Sequence, residues 1–589
     1  MAFAVVRKLC LLKSSRKEKK RKETTSKTTM STTTIGSYLA TRLEQIGIRN
    51  HFVVPGDYNL VLLDKLQENP NLDEVNCCNE LNCSFAAEGY ARANGVAAVV
   101  VTFSVGAFSA FNGIGSACGE NLPVILIAGS PNTNDPHDHN LLHHTIGTYD
   151  LDYEFEMAKK ITCAAVQVKH AEDAPRLIDH AIRECLTKQK PCYIEIPTNM
   201  SAVACAPPGP IEGVLQQLPS EENTLKAAVD AAAELINSRL KPILLAGPKL
   251  KCAGAQHAFL RLAEALGCAV AVLPSAKSLF PEDHPQFVGV YWGQVSTKKA
   301  DAILEWSDLT VCAGCIFTDY STTGWTSLQP AAHRLEADFD NVRFPNHYYG
   351  QIKLKDFLDA LADKVTRNDS SMEEYQRLRP SPPLVQAAEP KALINRKEMA
   401  RQIQELIDSN TTLFAETGDS WFNGILMDLP HGAKFEAEMM WGSIGWSVPA
   451  SFGYSMAAPD RKIITMVGDG SFQVTAQEVS LMVRLKKPII IFLINNYGYT
   501  IEVEIHDGPY NNIKNWNYAA LIEAFNAGDG SARGYQVKTA GELAEAIKKA
   551  QSNLHGPTLI EIQIHRDDCT SELITWGHYV ALANARPPK

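Results

Sequence analysis

IITMVGDGSFQVTAQEVSLMVRLKKPIIIFLINNYG, residues 463–498, is the stretch on which the reading of the fold turns. Ile463 to Val467, apolar except for Thr465, fits a short strand buried on both faces. Gly468-Asp469-Gly470 follows, and its glycines allow a sharp turn and a close approach of backbone to a ligand. From Ser471 a helical spacing puts Val474, Leu481, Met482 and Leu485 on one side and Gln473, Gln477, Ser480 and Arg484 on the other. Glu478 falls on the apolar side, so it needs a partner there. Pro488 ends the helix, and Ile489 to Ile494 reads as a second buried strand closing at Asn495-Asn496. Strand, helix and strand make a βαβ unit, which brings both strand ends to one edge of a parallel sheet. Asp469 and Asn496 then meet beside a helix N-terminus, whose free N–H groups attract phosphate. A carboxylate, a carboxamide oxygen and a diphosphate suit the oxygen-only, octahedral habit of Mg²⁺. The competing reading, in which Asp469 only caps the helix, leaves the Asn-Asn turn without a task.

The chain has 589 residues, too many for one hydrophobic core, so three or four domains are expected. Its net charge of -10 is unevenly spread. Residues 1–31 hold ten Lys and Arg against Glu18 and Glu23, about +8, which leaves about -18 for the rest. An acidic body argues against nucleic acid as a partner. No apolar run approaches the roughly 18 residues of a membrane span. The 14 cysteines are scattered, and the single CxxC at Cys312 and Cys315 has no second pair to close a zinc site, so reduced thiols are expected. For the basic N-terminal segment three readings stay open: a solvated tail, a mitochondrial-type presequence, or a patch for the nucleus or an anionic surface. A cytoplasmic location is expected, with the mitochondrion as alternative.

Alternating strands and helices continue on both sides of a Pro- and Gly-rich loop at 206–219. The expected architecture is α/β, with three doubly wound parallel-sheet domains at 34–205, 220–367 and 392–589, a tail at 1–33 and a surface crossing at 368–391. In the first domain, Asp57 sits just past strand HFVVP, where an α/β sheet edge presents side chains to ligands. Glu80 opens an Ala-rich helix beside Phe85-Ala86-Ala87, where a desolvated carboxyl holds its proton more tightly; a solvated cap is the plainer alternative. Gly113-x-Gly115-x-x-x-Gly119 lies inside a helix and is no dinucleotide fingerprint. His143 and His144, with His137 and His139 nearby, raise a metal cluster, but no spacing completes a zinc site and a proton-handling pair fits better. Glu502 comes directly after the Asn-Asn turn. Tyr320, Trp421 and Trp576 by themselves read as ordinary packing.

GDGSFQVTAQE…LINNYGYTIE, VVPGDYNLVLLDKL, NELNCSFAAEGYARANG, LLHHTIG, AETGDSWFN and WGSIGWSVP together resemble the thiamine-diphosphate-dependent 2-oxo-acid decarboxylases. The pattern is nearest to the pyruvate-decarboxylating members of the bacterial and plant type, and it covers about 34–589. The resemblance implies a pyrimidine-binding, a middle and a diphosphate-binding domain, with each cofactor lying between two subunits of a homodimer or homotetramer. It implies Mg²⁺ on Asp469, Asn496 and the Gly498 carbonyl, with Gly470 and Ser471 against the diphosphate. Glu80 would hydrogen-bond the pyrimidine, Ile444 would wedge between the two rings, the Gly442 carbonyl would take the amino group, and Thr417 would lie on the thiazolium side. Asp57, His143, His144 and Glu502 would supply and relay a proton, while Tyr320, Trp421, Ile501, Ile505 and Trp576 would line the substrate pocket. The implied activity is non-oxidative decarboxylation of pyruvate in fermentative metabolism; the alternatives are larger aryl 2-oxo acids, such as indolepyruvate, or carboligation. Substrate-activated fungal members carry a regulatory cysteine just after the strand matching PILLAG, where this chain has Pro248 and Lys249, so hyperbolic kinetics are expected.

Overall fold

Each of the three strand series builds its own sheet. The structure, a computed structural model, describes residues 33–138, 140–216, 218–381 and 386–588, apart from the side chains of His137 and Asp138. The readings of residues 1–31, and those of His137 and His139 as side chains, lie outside the described residues.

The first sheet runs Asp73–Asn76, Asn50–Val53, Ala97–Thr102, Val124–Ser130, Cys192–Pro197, Ala164–Gln167, with every pairing parallel. The third runs Lys434–Ala437, Thr411–Ala415, Lys462–Gly468, Ile490–Asn495, Thr558–Gln563, Arg533–Val537, again all parallel. Counted in chain order, both sheets have the sequence 2-1-3-4-6-5, so the two are topological copies. The outer strands Asp73–Asn76, Ala164–Gln167 and Arg533–Val537 are only partly buried, and for that reason show no continuous apolar run.

The middle sheet departs from the expected all-parallel form. Its order is His347–Gly350, Asn341–Phe344, Arg334–Ala337, Leu309–Ala313, Pro242–Ala246, Val270–Val272, Phe287–Val290, and the strands Asn341–Phe344 and His347–Gly350 pair antiparallel. The links Asp338-Phe339-Asp340 and Pro345-Asn346 are far too short for the crossover a parallel pair requires. The stretch 368–391 also differs from a plain crossing. It contains the helix Ser370–Leu378, in which Tyr375 is buried and Ser371 Oγ accepts the Ala269 N–H at 2.9 Å.

Residues 463–498 form the βαβ unit, with Gly468 opposite Ile494 in parallel register. The connecting helix starts at Asp469 rather than Ser471 and is broken into Asp469–Thr475, a 3₁₀ turn Ala476–Glu478 and Val479–Arg484. Thr475 leaves helical geometry, and its hydroxyl donates to the Gly445 carbonyl at 2.7 Å. Glu478 is fully buried and finds its partner in the first domain: Asn82 Nδ2 donates to it at 3.0 Å.

That junction is very close. Helix Glu80–Asn94 of the first domain packs on helix Ser447–Ala457 of the third through reciprocal glycines. An added Cβ at Gly89 would lie 1.9 Å from the Ala450 carbonyl oxygen, and one at Gly453 would lie 1.8 Å from that of Ala86. The glycines of helix Val105–Glu120 are also packing residues, since a Cβ at Gly113 would strike Ser84 Oγ and one at Gly115 the Trp441 ring.

Candidate active site

The ends of two neighbouring strands build the first part of the site. Asp469 follows the strand Lys462–Gly468, and its Oδ1 accepts the Gly470 N–H at 2.8 Å. Burial raises its carboxyl to about 6, opposed by the backbone N–H groups of Gly470, Tyr497 and Gly498. The carboxylate therefore ties the Gly-Asp-Gly turn to the Asn-Asn-Tyr-Gly turn. Its Oδ2 is buried without a hydrogen-bond partner, an arrangement that costs free energy unless a cation or donor occupies it. Asn496 donates its amide to Thr500 Oγ1 at 2.5 Å, which leaves its carbonyl oxygen as a ligand. Gly498 has φ +152, and a Cβ there would meet the Asn511 carbonyl oxygen at 2.5 Å. At Gly418 and Gly468, by contrast, an added Cβ would meet nothing within 4 Å. An orphaned carboxylate oxygen, a turned-out amide and an open glycine cradle fit Mg²⁺ with a diphosphate. Gly470 and Ser471 lie buried at the start of the helix.

A second loop carries Gly442, Ser443 and Ile444. Thr417 Oγ1 donates to the Ser443 carbonyl at 3.3 Å, joining the loop to the end of strand Thr411–Ala415. Glu416, missed in the sequence because it sits singly at the end of an apolar strand, is fully buried there. It accepts Thr417 N at 2.9 Å, Ser447 N at 3.0 Å and Ser447 Oγ at 2.7 Å; burial raises it to about 7 against these donors.

Glu80 is half-buried at the start of its helix, behind the cap Asn79, and burial raises its carboxyl above the usual range. Gly106 leaves it room, since an added Cβ would come within 3.1 Å of Glu80 Oε1. Asp57, His143 and His144 come together: His143 Nε2 lies 2.6 Å from Asp57 Oδ2 and His144 Nε2 3.5 Å from Asp57 Oδ1. Tyr58 stacks on the His143 ring at 5.0 Å between centroids. Their ligand atoms all lie within 4.8 Å of one another. All three are solvent-accessible, as suits groups that exchange protons.

The aromatic corner is built around Tyr320. Its ring meets Trp576 edge-on at 4.8 Å and Trp421 at 6.3 Å, and both tryptophans are fully buried. Trp292, which the sequence reading passed over, stacks on Phe422 at 4.6 Å and donates its indole N–H to the Tyr320 carbonyl at 2.7 Å. Trp576 holds the same carbonyl at 3.1 Å. Burial, and then the Glu502 charge, raise the Tyr320 phenol, which places Glu502 beside this corner. Ile501 and Ile505 belong to the same helix, Thr500–Ile505, as Glu502. Trp421 also reaches the cofactor loop, where its ring is the nearest atom to a Cβ built on Gly442, at 3.8 Å.

Comparison with known proteins assigns this arrangement. Residues 33–151 match "Thiamine pyrophosphate enzyme, N-terminal TPP binding domain", 229–362 the central domain and 419–562 the C-terminal TPP binding domain of the same enzymes. A Neurospora crassa protein named pyruvate decarboxylase is 60% identical over 94% of this chain and 97% of its own length. A probable pyruvate decarboxylase of Schizosaccharomyces pombe is likewise 60% identical, with the same coverage. Pyruvate decarboxylase 1 of Pisum sativum is 46% identical over 94% of each chain. The chain belongs to the thiamine-diphosphate-dependent 2-oxo-acid decarboxylases. Within this family the identities favour a fungal over a plant affinity, against the expectation from the motifs. Thiamine diphosphate is the family's cofactor, and Mg²⁺ is its usual metal.

Proposed function

We infer that this protein splits pyruvate into acetaldehyde and CO₂ without net oxidation, using thiamine diphosphate and Mg²⁺. The observation that carries this reading is the likeness to proteins named pyruvate decarboxylase along 94% of the chain. The chemistry supplied by the bound cofactor is an electron sink for the pair left on the former keto carbon. Asp469, Asn496 and the Gly498 carbonyl would hold the metal, and Gly470 and Ser471 the diphosphate. Glu80, Gly442, Ile444 and Thr417 would orient the rings. The corner of Tyr320, Trp421 and Trp576, with Ile501 and Ile505, offers apolar surroundings in which a carboxylate is less stable than neutral CO₂. Asp57, His143, His144 and Glu502 would deliver the proton that replaces the lost carboxyl group.

No hydrogen bond or ion pair among the described residues joins the Asp57–His143–His144 set to Asp469 or Glu502. Leu60, Leu141 and Ile146, flanking that set in the chain, expose large apolar side chains. Both features support a second copy of the chain bringing the two parts together, in a homodimer or homotetramer. We place the protein in the cytoplasm, consistent with free thiols at every described cysteine; a reporter fused to residues 1–33 that entered mitochondria would overturn this.

Purified protein with Mg²⁺, thiamine diphosphate and pyruvate, coupled to alcohol dehydrogenase and NADH, tests the reaction. Acetaldehyde formation is expected. Turnover of indolepyruvate or phenylpyruvate in preference to pyruvate would replace the substrate, and no aldehyde from any of them would sink the reading.

A further inference from the structure

Behind the Gly442–Ile444 loop lies a buried carboxyl cluster whose hydrogen bonds do not balance if every acid is ionised. Ser116, fully buried in helix Val105–Glu120, contacts two carboxyls with one hydroxyl: Oγ lies 2.6 Å from Glu88 Oε2 and is also hydrogen-bonded to Glu438 Oε1. A serine hydroxyl has one proton to donate. One of the two carboxyls must therefore donate in turn, and so must carry a proton.

Which one is decided by their remaining partners. Glu88 Oε1 accepts two bonds from Arg92, Nη2 at 2.8 Å and Nε at 3.2 Å, a pairing that favours the ionised carboxylate. Glu438 has no cation of its own among the described residues; its Oε2 accepts only the Ser443 N–H, at 2.6 Å. Arg92 is further committed to Glu120 at 3.5 Å and Glu436 at 3.3 Å, and Lys251 pairs with Glu436 at 2.5 Å. Arg92 is thus taken up by Glu88, Glu120 and Glu436, and Lys251 by Glu436, which leaves neither cation paired with Glu438. Burial raises both Glu88 and Glu438; at Glu88 the Arg92 charge counters it, while at Glu438 the Glu88 and Glu120 charges add to it.

We propose that Glu438 is a neutral carboxylic acid, donating through Ser116 to Glu88 and accepting from Ser443, and that it positions the Gly442–Ile444 loop against the aminopyrimidine. The proton makes the difference between a tie and a repulsion. Neutral Glu438 links helix Val105–Glu120 of the first domain to the loop of the third. An ionised Glu438 would face Glu88 across Ser116 with one proton between two charges. The part played by the cofactor loop rests on the function proposed above; the protonation state does not.

Two measurements on the full-length protein test this. The infrared spectrum of the cofactor-free protein near neutral pH is expected to contain a carboxylic-acid carbonyl band that disappears in Glu438→Gln. A spectrum unchanged in that band would overturn the assignment. Calorimetric titration with thiamine diphosphate and Mg²⁺ is the second. Gln reproduces the neutral acid, its amide donating to Ser116 and its carbonyl accepting from Ser443, so Glu438→Gln is expected to bind within about twofold of the parent. Glu438→Ala strands both partners and is expected to weaken binding on the order of tenfold, the size of one lost buried hydrogen bond. Equal weakening in both variants, or none in Glu438→Ala, would overturn the positioning role. If Glu438→Ala does not fold, Glu438→Gln still decides through its band and its affinity. A parent protein that binds cofactor but leaves pyruvate intact would sink the function proposed above and leave this assignment standing.

Discussion

Glu80 sits where water is scarce for a carboxylate, at the start of a helix whose own N–H groups pull the other way. Burial is the larger effect, so the acid holds its proton more tightly than an ordinary glutamate does. Replacing it with Gln keeps the shape and removes the exchangeable proton. Glu80→Gln is expected to lower kcat by roughly 10²- to 10⁴-fold, the usual share of a positioned proton-transfer group, while calorimetry still registers bound thiamine diphosphate. Full activity would remove Glu80 from its role. Residues of this kind were legible in the sequence when position alone isolated them. Asp469 and Asn496 stood out because each closes an apolar strand of one βαβ unit. Glu416 and Glu438 did not, since an acid just past a strand end looks the same whether it is solvated or fully buried. Only the structure supplies the donors that distinguish the two.

At the level of elements, the turn before helix Val105–Glu120 is held by a buried acid. Ser104 has φ 50, and its N–H donates to Glu154 Oε2 at 2.5 Å, while Tyr193 donates to Glu154 Oε1 at 2.7 Å. Burial raises Glu154 to about 8 from an ordinary value of 4.5. Between those values the folded chain binds more protons at this site than the unfolded chain does. Its stabilising contribution is therefore complete below about 4.5 and lost as pH rises through about 8. Glu154→Gln is expected to flatten the decline of Tm over that interval, and an unchanged slope would contradict it. Helix Thr500–Ile505 makes a second case. Gly577, on helix Ser571–Asn584, lets it approach closely, since a Cβ there would come within 2.9 Å of the Glu504 carbonyl oxygen. Gly577→Val is expected to push Glu502 and Ile501 out of place and cut kcat by about 10²-fold with cofactor binding intact, the scale of an ångström's misplacement. Such packing glycines carry no sequence signal of their own, because the atom they avoid belongs to a distant segment. The antiparallel edge of the middle sheet, by contrast, was readable in the short Asp-Phe-Asp and Pro-Asn links, had turn chemistry been weighed above strand alternation.

Over the whole molecule, the alternation of apolar strands and helices revealed three α/β units, but not that the first and third share one topology or lock through Gly89 and Gly453. Those features depend on which surfaces meet, and local periodicity is blind to that. The same limit bears on regulation, where one whole-chain property follows from local chemistry. Activation by substrate through a cysteine requires a thiol that ionises readily after the strand Pro242–Ala246. Here Pro248 and Lys249 occupy that turn, and Lys249 Nζ is committed to Asp338 at 2.7 and 3.0 Å. The next thiol along the chain, Cys252, is raised to about 11 by burial and lies 3.3 Å from the Lys249 carbonyl oxygen, to which it donates. A protonated, hydrogen-bonded thiol is a poor nucleophile near neutral pH. Initial rates against pyruvate concentration are therefore expected to be hyperbolic, with a Hill coefficient of about 1, even though relatives of 60% identity are fungal. Sigmoidal rates abolished by Cys252→Ala would show that burial does not silence this thiol. Sigmoidal rates that survive the substitution would place the activating contact elsewhere among the domains, and either result would refute the hyperbolic expectation.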